Sequence, residues 1–387
     1  MSIIYKLVHP AGFEPTTPWF EAKYSIQLSY GCIDAIIPYT LNMDYNSHMD
    51  IHTNIPLKNF VTMKLGGNAK FMTEVRTPDE VAIICKKARQ ESLPIFILGG
   101  GSNIVAKDEG FNGIIIRMQI PGFEIIDDNT TSTTIKIGGG ENWDQVVERA
   151  VSMNLSGIEA MSAIPGTAGA APVQNVGAYG QEIADTLQSL EAYDIENDKF
   201  ITITSPECKF SYRDSIFRNE SIGRYVILSI TIKLSKKQPQ PPFYEALQRY
   251  LDEHSINDFT VKTVRSAIIE IRKNKLPDPK IMPNTGSFFK NALIDQQQLD
   301  NLRAMNPNIP TYSMKDGKFK VPTGWLIEKA GLKGTLSHGM RVYEKNALVL
   351  VNESAASYQD LADARNEIIN TVKNKFNITI QQEPLEI

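Results

Sequence analysis

An apolar strand that runs directly into three glycines sets the first limit on the fold. Ile95-Phe96-Ile97-Leu98 is followed by Gly99-Gly100-Gly101-Ser102-Asn103. Glycines at such a turn let the backbone approach a ligand closely and direct N–H groups at it, which suits a phosphate. Ile104 stands where a dinucleotide fingerprint needs its third glycine, and no Gly-Lys-Ser/Thr follows, so neither a Rossmann loop nor a P-loop is indicated. A tight structural turn and a phosphate-binding loop both fit the pattern.

A second segment poor in large side chains lies further along the chain. Residues 164–180 contain four glycines and four alanines among 17 residues. Such a segment can wrap a planar or phosphorylated ligand, because small side chains let the backbone contact a flat ring. The alternative is a mobile lid or linker, although a linker is typically more polar. The sequence predicts a long functional loop here.

Strand and helix patterns alternate around these two segments. Thr77-Pro78-Asp79-Glu80 is a helix start, with a Thr cap and a Glu three residues later, and Val81, Ile84 and Ala88 share one face. Alternating Thr133–Ile137 predicts a strand, and Tyr225–Leu234 predicts another. Alternation of strands and helices indicates an α+β or α/β architecture.

Composition excludes several classes of protein. The 387 residues include 40 basic and 44 acidic side chains, a net charge of −4, so a general nucleic-acid coat is not indicated. The cysteines Cys32, Cys85 and Cys208 are scattered, and no His or Cys pair has metal-ligand spacing. No apolar run approaches a membrane span. We therefore expect no metal, no nucleic acid, no membrane insertion and a reducing compartment.

Two later motifs carry reactive side chains. In Tyr212-Arg213-Asp214-Ser215, Arg213 is either a carboxylate or phosphate clamp or half of a surface ion pair. Ser287, in Asn284–Asn291, precedes two aromatic residues that can shield it from water, yet an ordinary turn serine has the same appearance. No G-x-S-x-G elbow is present, so a serine hydrolase is not supported.

Residues 1–48 differ from the rest. They lack regular periodicity and contain several prolines, and Ala11–Pro18 resembles the translation of a transfer-RNA gene. We expect a misassigned start, with Met49 or Met43 as the true first residue; a natural disordered extension is the alternative.

Seven motifs in this order resemble one family. They are GGGSN at 99–103, IPGTAGAAPVQNVGAYG at 164–180, YRDSIFR at 212–218, KLPDPK at 275–280, NTGSFFKN at 284–291, GWLIEKAGLKG at 324–334 and QQEPLEI at 381–387. Over residues 58–387 the chain is similar to the UDP-N-acetylenolpyruvoylglucosamine reductases, the bacterial flavoenzymes that complete UDP-N-acetylmuramate for peptidoglycan. YRDSIFR and Tyr244 resemble the longer, three-domain subtype.

The resemblance implies an α+β fold with a two-part FAD-binding domain of the vanillyl-alcohol-oxidase (PCMH) type and an α/β substrate-binding domain. The first would span residues 58–236, in lobes of about 58–118 and 119–236. The second would span 243–387, and its last strand would return Glu383 to the active site. Non-covalent FAD would be held by the two glycine-rich segments, at Gly99, Gly100, Gly101, Ser102, Asn103, Pro165, Gly166, Gly169, Ala170, Ala171, Gln174, Asn175, Gly177, Ala178, Tyr179 and Gly180.

The resemblance also implies the chemistry. NADPH would reduce the flavin and leave, and the enolpyruvyl sugar nucleotide would then enter the same cleft. Ser287 matches the family's proton donor and Arg213 the residue that holds the substrate carboxylate. Glu383 matches the third catalytic residue, with Glu386 as the competing candidate. Positions around the sugar nucleotide are matched by Tyr212, Tyr244, Arg272, Lys275 and Asn291, and the basic pair among them would face the diphosphate.

We expect a monomeric, cytoplasmic bacterial reductase. Two rivals remain: an oxidase of the same FAD-domain superfamily, and a nucleotide-binding protein that has lost catalysis. Two departures from the family also stand out. Ala170 and Ala171 replace the usual Ser or Gly, and few residues follow Glu383, so a frayed end would leave its carboxyl poorly fixed.

Overall fold

In the computed structural model, which describes residues 49–314 and 316–387, the strand that precedes the three glycines is an edge strand of the first sheet. Its region contains β1 (Ile51–Pro56), β2 (Asn68–Val75), α1 (Pro78–Gln90), β3 (Ile95–Leu98), β4 (Ile104–Val105) and β5 (Phe111–Met118). The sheet order is β1-β2-β5-β3, with β2, β5 and β3 parallel. Thr77 and Glu80 form the predicted capping box, and Val81, Ile84 and Ala88 are buried as predicted.

The second sheet is antiparallel and has five strands in the order β11-β10-β12-β7-β6. Its region contains β6 (Phe123–Asp128), β7 (Ser132–Gly138), α2 (Trp143–Ser152), β8 (Gly177–Ala178), β9 (Gln181–Glu182), β10 (Leu187–Asp194), β11 (Lys199–Thr204) and β12 (Tyr225–Ser235). The predicted strands at 133–137 and 225–234 are confirmed. Trp143, Val146 and Val147 of α2 pack against the sheet and close this core.

The C-terminal part contains a second group of helices and small sheets. Its elements are α3 (Glu245–Glu253), α4 (Val261–Lys275), β13 (Asn284–Ser287), β14 (Ala292–Ile294), α5 (Gln296–Met305), β15 (Tyr312–Ser313), β16 (Phe319–Val321), α6 (Thr323–Lys329), β17 (Leu336–Ser337), β18 (Met340–Val342), β19 (Val349–Asn352), α7 (Tyr358–Phe376) and β20 (Leu385–Glu386). One antiparallel sheet has the order β13-β19-β18-β17, and another has β14-β16-β15. Helix α7 packs its buried face on this core.

The last strand returns to the first sheet region. Strand β20 pairs in parallel with β4, and the Ile387 carbonyl accepts a hydrogen bond from Lys107 N at 2.8 Å. Asp108 from the same region accepts hydrogen bonds from the first two N–H groups of α7, at 2.7 and 3.2 Å. Backbone pairing therefore holds the segment after Glu383, so the fraying considered for this end does not occur.

Apolar contacts cross the boundary that the sequence predicts between residues 236 and 243. Val261 of α4 belongs to the core under the second sheet. Met63, Leu65 and Val105 pack into the C-terminal core. The predicted domain limits remain predictions, as does the interpretation of residues 1–48, which lie outside the described residues.

Candidate active site

A cleft of about 530 Å³ lies where the glycine-rich segments, the Arg213 loop, β13 and the C-terminal segment meet. It is lined by most of the predicted site residues: Gly99, Gly100, Gly101, Ser102, Asn103, Pro165, Gly166, Gly169, Ala170, Ala171, Gln174, Gly177, Ala178, Arg213, Arg272, Ser287 and Glu383. These segments are far apart in the sequence, so only the fold brings them together.

The three-glycine turn leaves no room for side chains. Gly101 has φ +64°, and a Cβ there would lie 1.9 Å from the Phe60 carbonyl oxygen. A Cβ on Gly100 would lie 2.9 Å from Gly166 Cα, so the two glycine-rich segments approach backbone to backbone. Within the described residues, the N–H groups of Gly100, Gly101 and Ser102 donate to no acceptor. A turn with free N–H donors at a cleft wall suits an anionic group such as a pyrophosphate.

The second glycine-rich segment folds as a 3-10 helix, Ala168–Gln174, rather than as an open loop throughout. It ends at Asn175, whose backbone is left-handed at φ 47°. Asn175 is buried behind the cleft wall, where its side chain donates to the Ser211 carbonyl and accepts from Ala184 N. Tyr179 and Gly180 likewise lie outside the cleft lining. The Ala170 side chain is exposed at the cleft, where a methyl group supplies no hydrogen bond.

Arg213 and Glu383 meet inside the cleft. Arg213 Nε lies 3.2 Å from Glu383 Oε1, and Arg213 Nη2 donates to the Gly177 carbonyl at 2.8 Å. The Arg213 backbone is left-handed, with φ 56°, a conformation that costs a non-glycine residue energy and is concentrated at functional sites. The guanidinium thus bridges a carboxyl group and the wall of the glycine-rich segment.

Burial dominates the electrostatics of Glu383. The residue is 9% exposed, and desolvation raises the pKa of its carboxyl. Three cations oppose the shift: Arg213, Arg218 and Lys290. Burial is the largest effect, so the protonated acid is favoured relative to a glutamate in water. Glu386, in contrast, contacts Arg365, and its pKa is lowered.

Ser287 lies on the strand next to the Glu383 segment. Glu383 N donates to the Phe288 carbonyl at 2.8 Å, which joins the end of β13 to the C-terminal segment. Phe288 and Phe289, the two aromatic residues that follow Ser287, are fully buried in the C-terminal core. Ser287, Arg213 and Glu383 therefore line a single cleft, although each comes from a different segment.

Three buried side-chain atoms of the described residues have no hydrogen-bond partner, and all three residues line this cleft. They are Thr167 Oγ1, Arg272 Nε and Thr285 Oγ1. Buried polar groups are normally paired, so three unpaired ones around one cavity indicate polar ligand atoms as their partners. Together with the free N–H groups of the glycine turn, they fit a ligand with phosphate and ring-edge oxygen and nitrogen atoms, as FAD has.

The five predicted substrate residues do not all line the cleft. Tyr212 OH accepts from Asn291 N at 3.3 Å, and both residues stand behind the cleft lining. Tyr244 is 45% exposed, lies outside the cleft lining and is in edge contact with Tyr179. Arg272 faces the cleft beside Tyr179, whereas Lys275 is exposed away from it. Arg272 and Lys275 therefore do not line the cleft together, and the roles of all five residues remain predictions.

Several residues in or near the site were not predicted from the sequence motifs. Arg218 contacts both Gln174 and Glu383, Thr285 faces the cleft, and Lys320 lies over the Tyr212 ring at 5.4 Å. Arg218 stands in the YRDSIFR motif, so its position in that motif was an available signal. Lys320 carries no comparable signal, because only the sheet of β14, β15 and β16 brings it near Tyr212.

The described residues give little support for a metal site or for a flavin tethered through cysteine. They contain no group of three or more His, Cys, Asp and Glu side chains able to hold a metal ion. Cys85 and Cys208 are buried, burial raises the pKa of each thiol to about 12, and neither lines the cleft. A tether from either thiol to a flavin is thus not available. None of the described helices carries an apolar stretch long enough to cross a membrane.

Comparisons with known proteins agree with this geometry. Residues 69–204 match the FAD binding domain family, and residues 278–387 match the C-terminal domain of UDP-N-acetylenolpyruvoylglucosamine reductase. A reductase of that name from Ralstonia nicotianae is 38% identical over 335 residues, covering 86% of this chain and 98% of the relative. The one from Flavobacterium johnsoniae is 38% identical over 336 residues, covering 87% and 99%.

A solved structure shares the fold. The crystal structure of UDP-N-acetylenolpyruvylglucosamine reductase from Thermus caldophilus matches with a TM-score of 0.60 and 21% identity, over 88% of this chain and 98% of that one. The fold and site define a flavoprotein with an FAD-binding domain and a second, C-terminal domain of mixed α and β structure, as the predicted fold class expects. Within that class, the chain belongs to the UDP-N-acetylenolpyruvoylglucosamine reductase family.

Proposed function

We propose that this chain reduces the enolpyruvyl group of UDP-N-acetylenolpyruvoylglucosamine to give UDP-N-acetylmuramate, and that Arg213, Ser287 and Glu383 carry the reaction. The family uses FAD and NADPH and works in peptidoglycan precursor synthesis. The observation that supports the residue assignment is that these three side chains line one cleft with both glycine-rich segments. Neither a non-catalytic nucleotide-binding protein nor an oxidase requires this trio.

The chain's own residues account for binding of the cofactor. Gly99–Ser102 would hold the pyrophosphate through backbone N–H groups, and residues 165–178 would lie along the ring. When bound and reduced by NADPH, FAD would supply the hydride that adds to the enolpyruvyl group. Thr167 Oγ1, which has no hydrogen-bond partner among the described residues, would donate to the cofactor.

The protein's part in the reaction is to stabilise negative charge and deliver a proton. Arg213 holds the substrate carboxylate, and its fixed positive charge becomes more valuable as negative charge grows there. Glu383, whose carboxyl pKa is raised by burial, would share a proton with the same carboxylate. Ser287 Oγ donates the proton that carbon C2 of the enolpyruvyl group requires, and the buried phenylalanines behind it limit access of water.

The test is an anaerobic absorption experiment on the purified protein. NADPH should bleach the flavin bands, and the enolpyruvyl sugar nucleotide should restore them. A colourless protein that FAD cannot reconstitute contradicts the cofactor assignment. Bleaching without recovery, in the presence of that substrate, contradicts the substrate assignment. We further propose that the enzyme is a cytoplasmic monomer of the longer subtype, which sedimentation and cell fractionation would check.

A further inference from the structure

Arg218 stands behind the cleft and ties two of its walls together. Its Nη1 donates to Gln174 Oε1 at 2.8 Å, and its Nη2 donates to the Glu383 carbonyl oxygen at 2.6 Å. The side chain is half-buried and does not line the cleft. A planar guanidinium can reach two acceptors in fixed directions at once, which a lysine ammonium on a flexible stem cannot reproduce.

The contacts of Arg218 extend to the three-glycine turn. Gln174 Oε1 also accepts from Asn103 Nδ2, and the Asn103 carbonyl accepts from Leu385 N at 3.1 Å. Asn103, Gln174 and Arg218 thus form a chain that ends on Glu383 and runs back through β20. It links the two glycine-rich segments to the segment that bears the buried acid.

Arg218 also acts on Glu383 through its charge. The groups that face the Glu383 carboxyl are Arg213, Arg218 and Lys290, with Tyr212 nearby and Asp214 beside the cations. Arg213 touches the carboxyl directly, whereas Arg218 holds the main chain of the same residue. Loss of Arg218 therefore removes one of the two hydrogen bonds that hold the Glu383 main chain, and one of the three cations that oppose protonation of its carboxyl.

We propose that Arg218 is a positioning residue that couples occupancy of the glycine-rich segments to the placement of Glu383. The proposal rests on the proposed function for its kinetic consequences. A ligand seated on Asn103 and Gln174 fixes Gln174, Gln174 orients the Arg218 guanidinium, and the guanidinium holds Glu383 against Arg213. FAD binding and protonation of the second substrate are linked through this chain of contacts.

The experiment compares Arg218→Met and Arg218→Lys with the wild-type holoenzyme, and uses Arg303→Met as the matched control. Arg303 is exposed on α5 and donates only to Thr311 Oγ1. Stopped-flow absorbance gives the rates of flavin reduction by NADPH and of reoxidation by the enolpyruvyl sugar nucleotide. We expect reoxidation to be roughly tenfold to hundredfold slower in Arg218→Met, because the variant loses a charge-assisted hydrogen bond to Glu383. Reduction should change less than threefold or so, and Arg218→Lys should lie between.

Two further readouts separate positioning from simple loss of structure. FAD should dissociate more readily from Arg218→Met, because Gln174 loses a partner. The rate of reoxidation should fall at high pH, where Glu383 loses its proton; this fall is the high-pH limb of the pH profile. The limb should move to higher pH in Arg218→Met, because that variant removes a cation facing Glu383. It should stay in place in Arg218→Lys, which keeps the positive charge. The proposal is overturned if Arg218→Met is reoxidised at the wild-type rate per bound flavin and its high-pH limb lies at the wild-type pH. If the wild type itself is not reoxidised, the proposed function fails instead, and FAD dissociation alone then decides the role of Arg218.

Discussion

Ser287 is a poor acid in water, and its assigned role depends on its surroundings. Its neighbours Phe288 and Phe289 are fully buried, and Glu383 N donates a hydrogen bond to the Phe288 carbonyl. Replacing Ser287 by Ala should leave flavin reduction by NADPH unchanged and slow reoxidation by the sugar nucleotide by about 10²–10⁴, the usual contribution of a positioned proton donor. Stopped-flow absorbance of both half-reactions checks this. Ser313→Ala, on exposed β15, is the control, and unchanged turnover in Ser287→Ala would remove the serine from the mechanism.

Thr285 offers a prediction in which stability and binding change in opposite directions. Its hydroxyl is buried, belongs to a residue that lines the cleft, and has no hydrogen-bond partner among the described residues. Thr285→Val keeps the shape and removes that unsatisfied group, so the ligand-free protein should gain about 1 kcal/mol of unfolding free energy. Affinity for FAD or for the sugar nucleotide should fall, and titration of each identifies which one. Thr285→Ser is the control; a loss of both stability and affinity in Thr285→Val would contradict a ligand-facing hydroxyl.

Single residues also show where sequence reasoning ends. Arg213, Ser287 and Glu383 stand in short motifs, so their chemistry could be predicted, and they line one cleft. Lys275 and Arg272 are three positions apart on α4, yet only Arg272 lines the cleft. Arg272 is in the last full turn of the helix and Lys275 is its final residue, and spacing alone does not reveal which one the neighbouring domain covers.

At the scale of elements, an ion pair joins helices from the two halves of the chain. Arg265 on α4 donates to both carboxylate oxygens of Asp144 on α2, at 2.6 and 3.2 Å. Asp144 also accepts from the backbone N–H of Ala163, the left-handed residue just before the second glycine-rich segment. The pair therefore docks α4, which bears Arg272, and holds the start of that segment.

Asp144→Asn should lower the unfolding free energy by about 2 kcal/mol, because it leaves the largely buried Arg265 with only the exposed Glu148 carboxylate, 3.9 Å away, as a counter-charge. Flavin affinity should also fall, since Ala163 loses a charged acceptor. Urea denaturation with FAD titration measures both effects. Arg249→Met breaks an exposed pair with Glu245 and should cost at most about 0.5 kcal/mol. Equal effects of the two variants would show that the Asp144 pair is only a surface contact.

Elements with local signals could be predicted from sequence, and those set by distant pairing could not. The Thr77 capping box and the apolar face of α1 depend on residues within one helix, and both are present. The pairing of β20 with β4 joins residues from opposite ends of the described chain, and each strand has only two residues. Strands that short carry no periodic signal, so the sequence alone could not rule out a frayed end after Glu383.

On the scale of the whole molecule, the site depends on contacts between distant segments. Glu383 is held by Phe288 and Arg218, and the residues after it pair with β4 beside the three-glycine turn. The apolar cores likewise mix residues from both predicted domains. The burial of Glu383 is therefore a property of the folded chain, and unfolding abolishes it.

This burial makes the unfolding free energy depend on pH in a definite direction. Desolvation raises the pKa of Glu383 in the folded protein, against Arg213, Arg218 and Lys290, so the folded state binds its proton more tightly than the unfolded state. The contribution of Glu383 to stability is complete below its unfolded pKa and is lost as pH rises through the folded pKa. The difference in unfolding free energy between wild type and Glu383→Gln should thus fall as pH rises from about 4.5, by at most about 1.4 kcal/mol per unit, and then level off. Urea denaturation at a series of pH values measures it, and taking the difference removes the other titrating groups. A difference that grows with pH would mean that the cations outweigh burial and that Glu383 is ionised in the ligand-free protein.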